Sequence, residues 1–206
     1  MTTGPAARLW AANADLANAA LTSPFVAGIA DGTLPRERFT GYVAQDAFFL
    51  EAFARAYALG LARSSDRPTL EAFADLLAGV REELRLHDGY ARREGIDLAA
   101  VEPVPATLAY TDFLLATASL EGPGVLCAAM TPCMRLYAFL GRSLAGRSAG
   151  PYVDWVTAYA DPAFEELAVR LELLLDRHAD DGPGVARAYR RAMTLELAFF
   201  DAAWRG

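Results

Sequence analysis

Apolar residues recur in this chain at every third or fourth position over one long run after another, and almost nowhere in strict alternation. A period near 3.6 marks amphipathic helices, whereas a half-buried strand needs a period of two. In the second run Phe39, Tyr42, Val43, Phe49, Leu50, Phe53 and Tyr57 trace one face. The third carries Leu70, Phe73, Leu77, Val80, Leu84 and then His87; the fifth carries Leu126, Met130, Tyr137 and Leu140. The last is marked by Tyr189, Met193, Phe200 and Ala203. The pattern predicts helices over 5–19, 35–63, 68–94, 105–120, 122–145, 151–159, 161–180 and 184–204. Pro35 and Pro68 suit first-turn positions, and Pro105 or Thr107 opens the fourth helix. Turns fall at "DGTLP" (31–35), "GRSAGP" (146–151) and "DGPG" (181–184). No repeat, low-complexity tract or linker divides the 206 residues. The expectation is one all-α domain over 1–206, a single helical bundle.

Charge narrows the function classes. A net charge of −7 and a pI near 4.9 leave no basic stripe for nucleic acid. All 19 basic residues are arginine. Without a single lysine the chain is excluded from pyridoxal Schiff-base, P-loop and lysine-aldolase chemistry, since each needs that amine. The mean hydropathy of +0.17 owes much to 43 alanines. No stretch approaches about 18 uninterrupted apolar residues, so no membrane span is expected. "MTTGPAARLW" lacks the apolar core of a signal peptide, and the cytoplasm is the expected compartment.

Ionisable residues interrupt the apolar stripes. Asp46 falls on the face of Tyr42 and Phe49, Glu196 between Met193 and Phe200, Cys133 on the stripe of Met130 and Tyr137, and His87 ends its own. An unpaired buried carboxylate is costly, so such groups need partners or a ligand. Taken singly each has a plain reading. Asp46 and Glu196 suit buried pairs with Arg or Tyr; His87 suits an internal hydrogen bond or a pairing with Glu83; a free thiol is ordinary core material. Together, with inward tyrosines, they outline a polar-floored pocket between helices. Pro132 cannot donate to the carbonyl of Ala128, so a kink or restart is expected there, with Cys133 near a first turn where free N–H groups favour a thiolate. Cys127 lies on another face as a structural thiol, and on one straight helix the six-residue separation is a rise of about 9 Å, too far to bridge. His178, near a helix C-terminus where a cation is favourable, carries no chemistry. Neither His has Glu three residues before it, as a di-iron bundle would need, so no metal and no cofactor are expected.

Six segments, in order, are "SPFVAGIADGTLPRERFTGYVAQDAFFL" (23–50), "HDGYARREGI" (87–96), "PATLAYTDFLLATA" (105–118), "AAMTPCMRLYAFLG" (128–141), "WVTAYADPAF" (155–164) and "LELAFFDAAW" (195–204). In that order and spacing, over nearly the whole chain, it resembles the TenA/thiaminase II family, all-α proteins with the haem-oxygenase-like fold. "TPC" places it with the cysteine-bearing branch. There are departures: Gln45-Asp46-Ala47-Phe48-Phe49-Leu50 stands where Gln-Asp-Tyr-x-Tyr-Leu is frequent, "SPF" replaces "HPF", and Arg135 replaces an aromatic or aliphatic residue.

The resemblance implies hydrolysis at the methylene of a small-molecule pyrimidine, 4-amino-5-aminomethyl-2-methylpyrimidine, with thiamin as a further candidate, to give the hydroxymethylpyrimidine reused in thiamin salvage. It implies Cys133 as the nucleophile that adds to the ring and Glu196 as the acid/base. Asp46 would bind the 4-amino group and a ring nitrogen, with Phe49, Tyr110, Tyr137 and Tyr159 lining the pocket. It also implies a homotetramer. The competing reading is a non-catalytic pyrimidine-binding protein with a regulatory role. An oxidase sharing the fold is disfavoured by the shortage of histidine.

Overall fold

Proline and short polar caps start most of the helices. The computed structural model describes residues 4–147, 150–180 and 182–206. Residues 1–3, with Ser148 and Ala149 of the 146–151 turn and Asp181 of the 181–184 turn, lie outside the described residues. The helices are α1 (Pro5–Ala12), α2 (Ala14–Leu21), α3 (Pro24–Asp31), α4 (Arg36–Ala62), α5 (Arg67–Glu94), α6 (Pro105–Leu120), α7 (Pro123–Leu144), α8 (Val153–Ala160), α9 (Pro162–His178) and α10 (Pro183–Arg205). Short 3-10 turns occupy Leu98–Ala100 and Gly150–Tyr152, and no strand occurs among the described residues. At α5 the Asp66 carboxylate accepts from the Thr69 N–H at 3.0 Å, satisfying one of the free donors of the first turn.

Two boundaries differ from the periodicity. The expected 5–19 helix is split by Asn13, whose side-chain amide donates to the Leu9 carbonyl at 2.8 Å and so competes with the backbone ladder. The run 24–31, taken as connection, is a helix with local signals at both ends. Ser23 caps it, accepting from the Val26 N–H at 3.3 Å, and Gly32 closes it at φ 68°, a left-handed conformation suited to glycine. On α5, Leu70 is exposed and Leu76 joins Phe73 and Val80 inside.

α4 packs along α5 and α6, while α7 is held between α9, α10 and α8. α7 is long and apolar enough to cross a membrane by length and composition, but 89% of its apolar window is buried in the bundle. A helix apolar all round is a core helix here. Glycines set its close approaches. A Cβ on Gly124 would lie 2.3 Å from the His178 carbonyl oxygen, and one on Gly141 would lie 2.3 Å from the Tyr159 carbonyl carbon. Arg135 points away from Cys133's neighbours toward α9, where it makes a two-pronged contact with Glu172 at 2.7 and 2.6 Å and a third bond to Glu165 at 2.7 Å. Its charge is thereby satisfied although the residue is buried.

Candidate active site

Four long helices each turn one ionisable side chain into the same interior. From α7 comes Cys133, whose thiol lies close enough to the Glu196 carboxyl on α10 for each to shift the other's pKa. Glu196 also accepts from the Tyr110 hydroxyl on α6 at 2.6 Å. Glu196 is 2% exposed, and burial lifts its pKa to about 8, opposed by the Tyr110 hydrogen bond and assisted by the Asp46 charge. It therefore holds a proton at neutral pH. Burial, and then the charges of Glu196, Glu83 and Asp46, push the Cys133 thiol well above its usual range.

This corrects the expectation of a thiolate at a helix start. α7 runs unbroken through Pro132, so Cys133 has no first turn and no dipole end beside it. The Thr131 hydroxyl donates to the Cys127 carbonyl at 2.7 Å, a side-chain bond made within the same turn as the bond that Pro132 cannot make. Cys127 is fully buried, with its thiol raised to about 12 by burial alone.

The opposite side of the interior is charged. Asp46 Oδ2 meets His87 Nε2 at 2.7 Å and accepts from the Tyr42 hydroxyl at 3.2 Å. Oδ1 has no side-chain partner among the described residues. His87 Nδ1 bonds the Glu83 carbonyl at 3.0 Å, which fixes the ring and presents Nε2–H to Asp46. Burial works against the imidazolium, but the Asp46 carboxylate outweighs it and lifts the His87 pKa to about 9. Asp46 and His87 thus form a buried ion pair. The Tyr42 hydroxyl also accepts from Trp155 Nε1 at 3.2 Å and lies 3.3 Å from the Tyr137 hydroxyl. Its single hydrogen serves Asp46, which leaves Tyr137 as the donor between the two tyrosines.

Aromatic rings join the halves. Phe49 packs on Tyr110 at 4.7 Å between ring centres and on Phe199 at 6.0 Å, and Phe199 meets Tyr42 at 6.0 Å. Tyr137 touches Phe200 at 5.6 Å and Tyr159 at 4.7 Å. Asp46, Phe49, Tyr110, Cys133, Tyr137 and Glu196 are thereby brought into one neighbourhood. Tyr159 shares its ring wall and donates its hydroxyl to Glu83 at 2.8 Å.

The sequence pattern places His87 in the pocket outline without an assigned role and does not single out Tyr42, Trp155 or Glu83 as site residues. A signal existed for Tyr42 and Glu83. Tyr42 lies four residues before Asp46, and Glu83 four before His87, spacings that put each pair on one helix face. His178 carries no favoured charge: burial and Arg177 lower its pKa, and its Nε2 lies 2.9 Å from the Thr69 hydroxyl. Among the described residues no group of three or more His, Cys, Asp or Glu is placed to hold a metal ion.

Comparison with known proteins follows the same lines. The aminopyrimidine aminohydrolase of Halalkalibacterium halodurans is 36% identical over 194 residues, covering 88% of this chain and 87% of that protein. The bifunctional TH2 protein, mitochondrial, of Arabidopsis thaliana is 39% identical over 87% of this chain, and the thiamine biosynthesis multifunctional protein ThiED of Corynebacterium efficiens 36% identical over 98%. The chain spans only 34% and 29% of the length of those two relatives. Among solved structures, a TenA family transcription regulator from Silicibacter sp. TM1040 superposes with a TM-score of 0.91 at 27% identity over 98% of both chains. A Shewanella denitrificans domain described as having a heme oxygenase-like fold superposes over 97% of this chain and 91% of its own with a TM-score of 0.76 at 15% identity, a likeness of fold alone. A family model described as TENA/THI-4/PQQC matches residues 10–206, and the chain belongs to that family, with the heme oxygenase-like all-α fold.

Proposed function

We propose that this chain is an aminopyrimidine aminohydrolase of the thiaminase II type, exchanging the amine of 4-amino-5-aminomethyl-2-methylpyrimidine for water in thiamin salvage. Thiamin, whose thiazole leaves from the same methylene, is a second substrate of the same chemistry. The observation that carries the reading is the placement of the buried Cys133 thiol beside Glu196, whose carboxyl accepts from Tyr110 at 2.6 Å and is kept protonated by burial, across from the buried Asp46 carboxylate.

Asp46 Oδ1 is free to accept from an exocyclic amino group, while contacts with His87 and the Tyr42 hydroxyl hold Oδ2 in place. Phe49, Tyr110 and Phe199 offer apolar ring surface to a flat heterocycle. A free thiolate would be costly in this interior, so the thiol's proton must leave as the sulfur adds to the ring. Glu196 is placed to do both transfers. One oxygen gives its proton to a ring nitrogen while the other takes the proton of Cys133, and the carboxyl stays neutral throughout. The S–C bond forms, electron density returned through the ring expels the protonated amine as ammonia from the methylene, water adds there and gives its extra proton to that ammonia, and the S–C bond breaks as the ring-nitrogen proton returns through Glu196 to sulfur.

A pyrimidine-binding regulator would need Asp46 and the ring walls, but not a thiol beside a protonated carboxyl. Incubation with the aminomethylpyrimidine and assay of ammonia separates the two: steady release is expected, and binding without release would favour the regulator. The same reading makes the working form a homotetramer in the cytoplasm. Exposed Leu70, Val169 and Leu173, carried by α5 and α9, supply apolar area that another copy would cover.

A further inference from the structure

A groove of about 340 Å³ runs between α5, α8 and α9 and reaches Met134, the residue after Cys133. Tyr159 lines it, and the same ring meets Tyr137 of the site at 4.7 Å between ring centres. Glu82, Glu83 and Asp161 line it with no arginine or histidine, and the rest of the lining is apolar or aromatic, including Leu76, Val80 and Phe164. Glu83 stands at the inner end. Its Oε1 accepts from the Tyr159 hydroxyl at 2.8 Å, and its Oε2 has no partner among the described residues. One turn along the same helix, His87 holds Asp46. The carboxylate that would hold the heterocycle and the carboxylate facing the groove are therefore positioned by the same stretch of α5.

We propose that Glu83 is a specificity-determining residue of this site: with Tyr159 it receives the substituent carried on the methylene of the pyrimidine, and it selects a primary ammonium over an uncharged group. The inference rests on the hydrolase reading for the identity of the ligand. A carboxylate flanked by the rings of Tyr159 and Phe164, which meet edge to face at 5.0 Å, is a suitable environment for an ammonium. An uncharged substituent gains nothing from it. Near Glu83 stand Asp46, Tyr42 and Tyr57 from α4, His87 from its own helix, Cys133 from α7 and Tyr159 from α8; Glu82 and Asp161, the cap of α9, line the same groove, and α9 itself presents the uncharged Phe164 and Leu167. Burial and the Asp46 charge raise its pKa to about 7, against the pull of His87 and Tyr159. Below that pH Glu83 is protonated and the preference for a cation disappears.

The test compares the aminomethylpyrimidine with its N-formyl derivative, in which the same nitrogen is uncharged. In Glu83→Gln, kcat/KM for the amine should fall by about tenfold or more, as expected for loss of a charge-assisted hydrogen bond, while that for the formyl compound stays within about threefold. The wild-type kcat/KM for the amine should rise with pH through about 7, and this limb should be missing in Glu83→Gln. Equal losses on both compounds, or an unchanged rising limb, would overturn the assignment. Titration calorimetry in a Cys133→Ser background gives a reading without turnover. There the amine should bind more tightly than the hydroxymethylpyrimidine, and adding Glu83→Gln should abolish the difference. That result in a wild-type protein releasing no ammonia would sink the hydrolase reading and keep Glu83's role; no preference for the amine, with normal ammonia release, would do the reverse.

Discussion

The proton on Glu196 can be tested without any substrate, because it couples to folding. In the unfolded chain Glu196 titrates near 4.5, and in the fold burial raises it to about 8. A carboxyl raised in this way favours the fold fully only below pH 4.5, and the favour is lost as pH rises toward 8. Linkage puts the loss at about 1 kcal/mol by pH 5 and about 4 kcal/mol by pH 7.5, a difference of about 3 kcal/mol. Glu196→Gln removes the titration but keeps an oxygen for the Tyr110 hydroxyl and an N–H toward Cys133. Its second N–H gains no assigned partner, a constant offset of about 1–3 kcal/mol that does not vary with pH. Urea unfolding at fixed protein concentration, from pH 5 to 7.5, should therefore show the variant gaining on wild type by about 3 kcal/mol. Glu83 and His87 bend both curves alike and cancel in the difference. Parallel curves would mean that Glu196 titrates normally in the fold, and the two-proton transfer assigned to it would have to be abandoned.

The other predictions concern the thiols, the packing of α7, the α6 connection and assembly. Cys133→Ser should nearly abolish ammonia release with the fold retained, whereas Cys127→Ser should keep the activity; equal effects in an activity assay would make Cys133 a packing residue. Gly141→Ala should lower the unfolding free energy measured in urea by about 1–3 kcal/mol, since its Cβ would overlap the backbone of α8 at Tyr159, and wild-type stability would refute that packing. Gln45 accepts from the Val104 N–H at 3.0 Å and the Thr107 hydroxyl at 2.7 Å and donates to the Glu102 carbonyl at 3.0 Å. Gln45→Ala should speed amide exchange at Val104 and cost about 1–2 kcal/mol, while unchanged exchange would show that the connection holds itself. Light scattering should give about four times the chain mass of 22.1 kDa, and a particle of that single mass at working concentration would refute the tetramer.

Helical period, proline starts and the inward placement of Asp46, Cys133 and Glu196 were legible in the chain because each is a local property of one face of one helix. What escaped was set by contacts between helices. Asn13 reads as helix on either side, and its role as a break depends on a side chain that bonds Leu9 and accepts from Arg190 of α10 at 3.2 Å. α3 is too short for its period to stand out, and only its caps reveal it. Pro132 reads as a break, yet the helices around α7 hold it continuous. The consequence for the site is large. The thiol expected at a charged helix end sits instead in mid-helix, buried and protonated, and its activation must come from Glu196 on another helix.

That arrangement explains why the two halves of the interior differ. On the Asp46 side charge is permanent: the carboxylate and the imidazolium of His87 neutralise each other, and Tyr42, Tyr137 and Trp155 bind around them. Such a cluster can hold a polar heterocycle without changing its own protonation during the reaction. On the Cys133 side charge is withheld, since both Glu196 and the thiol keep their protons in the resting site. Reaction there moves protons rather than creating ions, and an apolar wall of Phe49 and Phe199 does not oppose it. The Asp46 carboxylate helps by keeping Glu196 protonated. Removing it should therefore weaken binding and also lower the pKa of Glu196, the acid that the reaction depends on, so that Asp46→Asn shifts the falling, alkaline limb of kcat/KM to lower pH. An Asp46→Asn enzyme with weaker binding but an unmoved alkaline limb would show that the two carboxyls act independently.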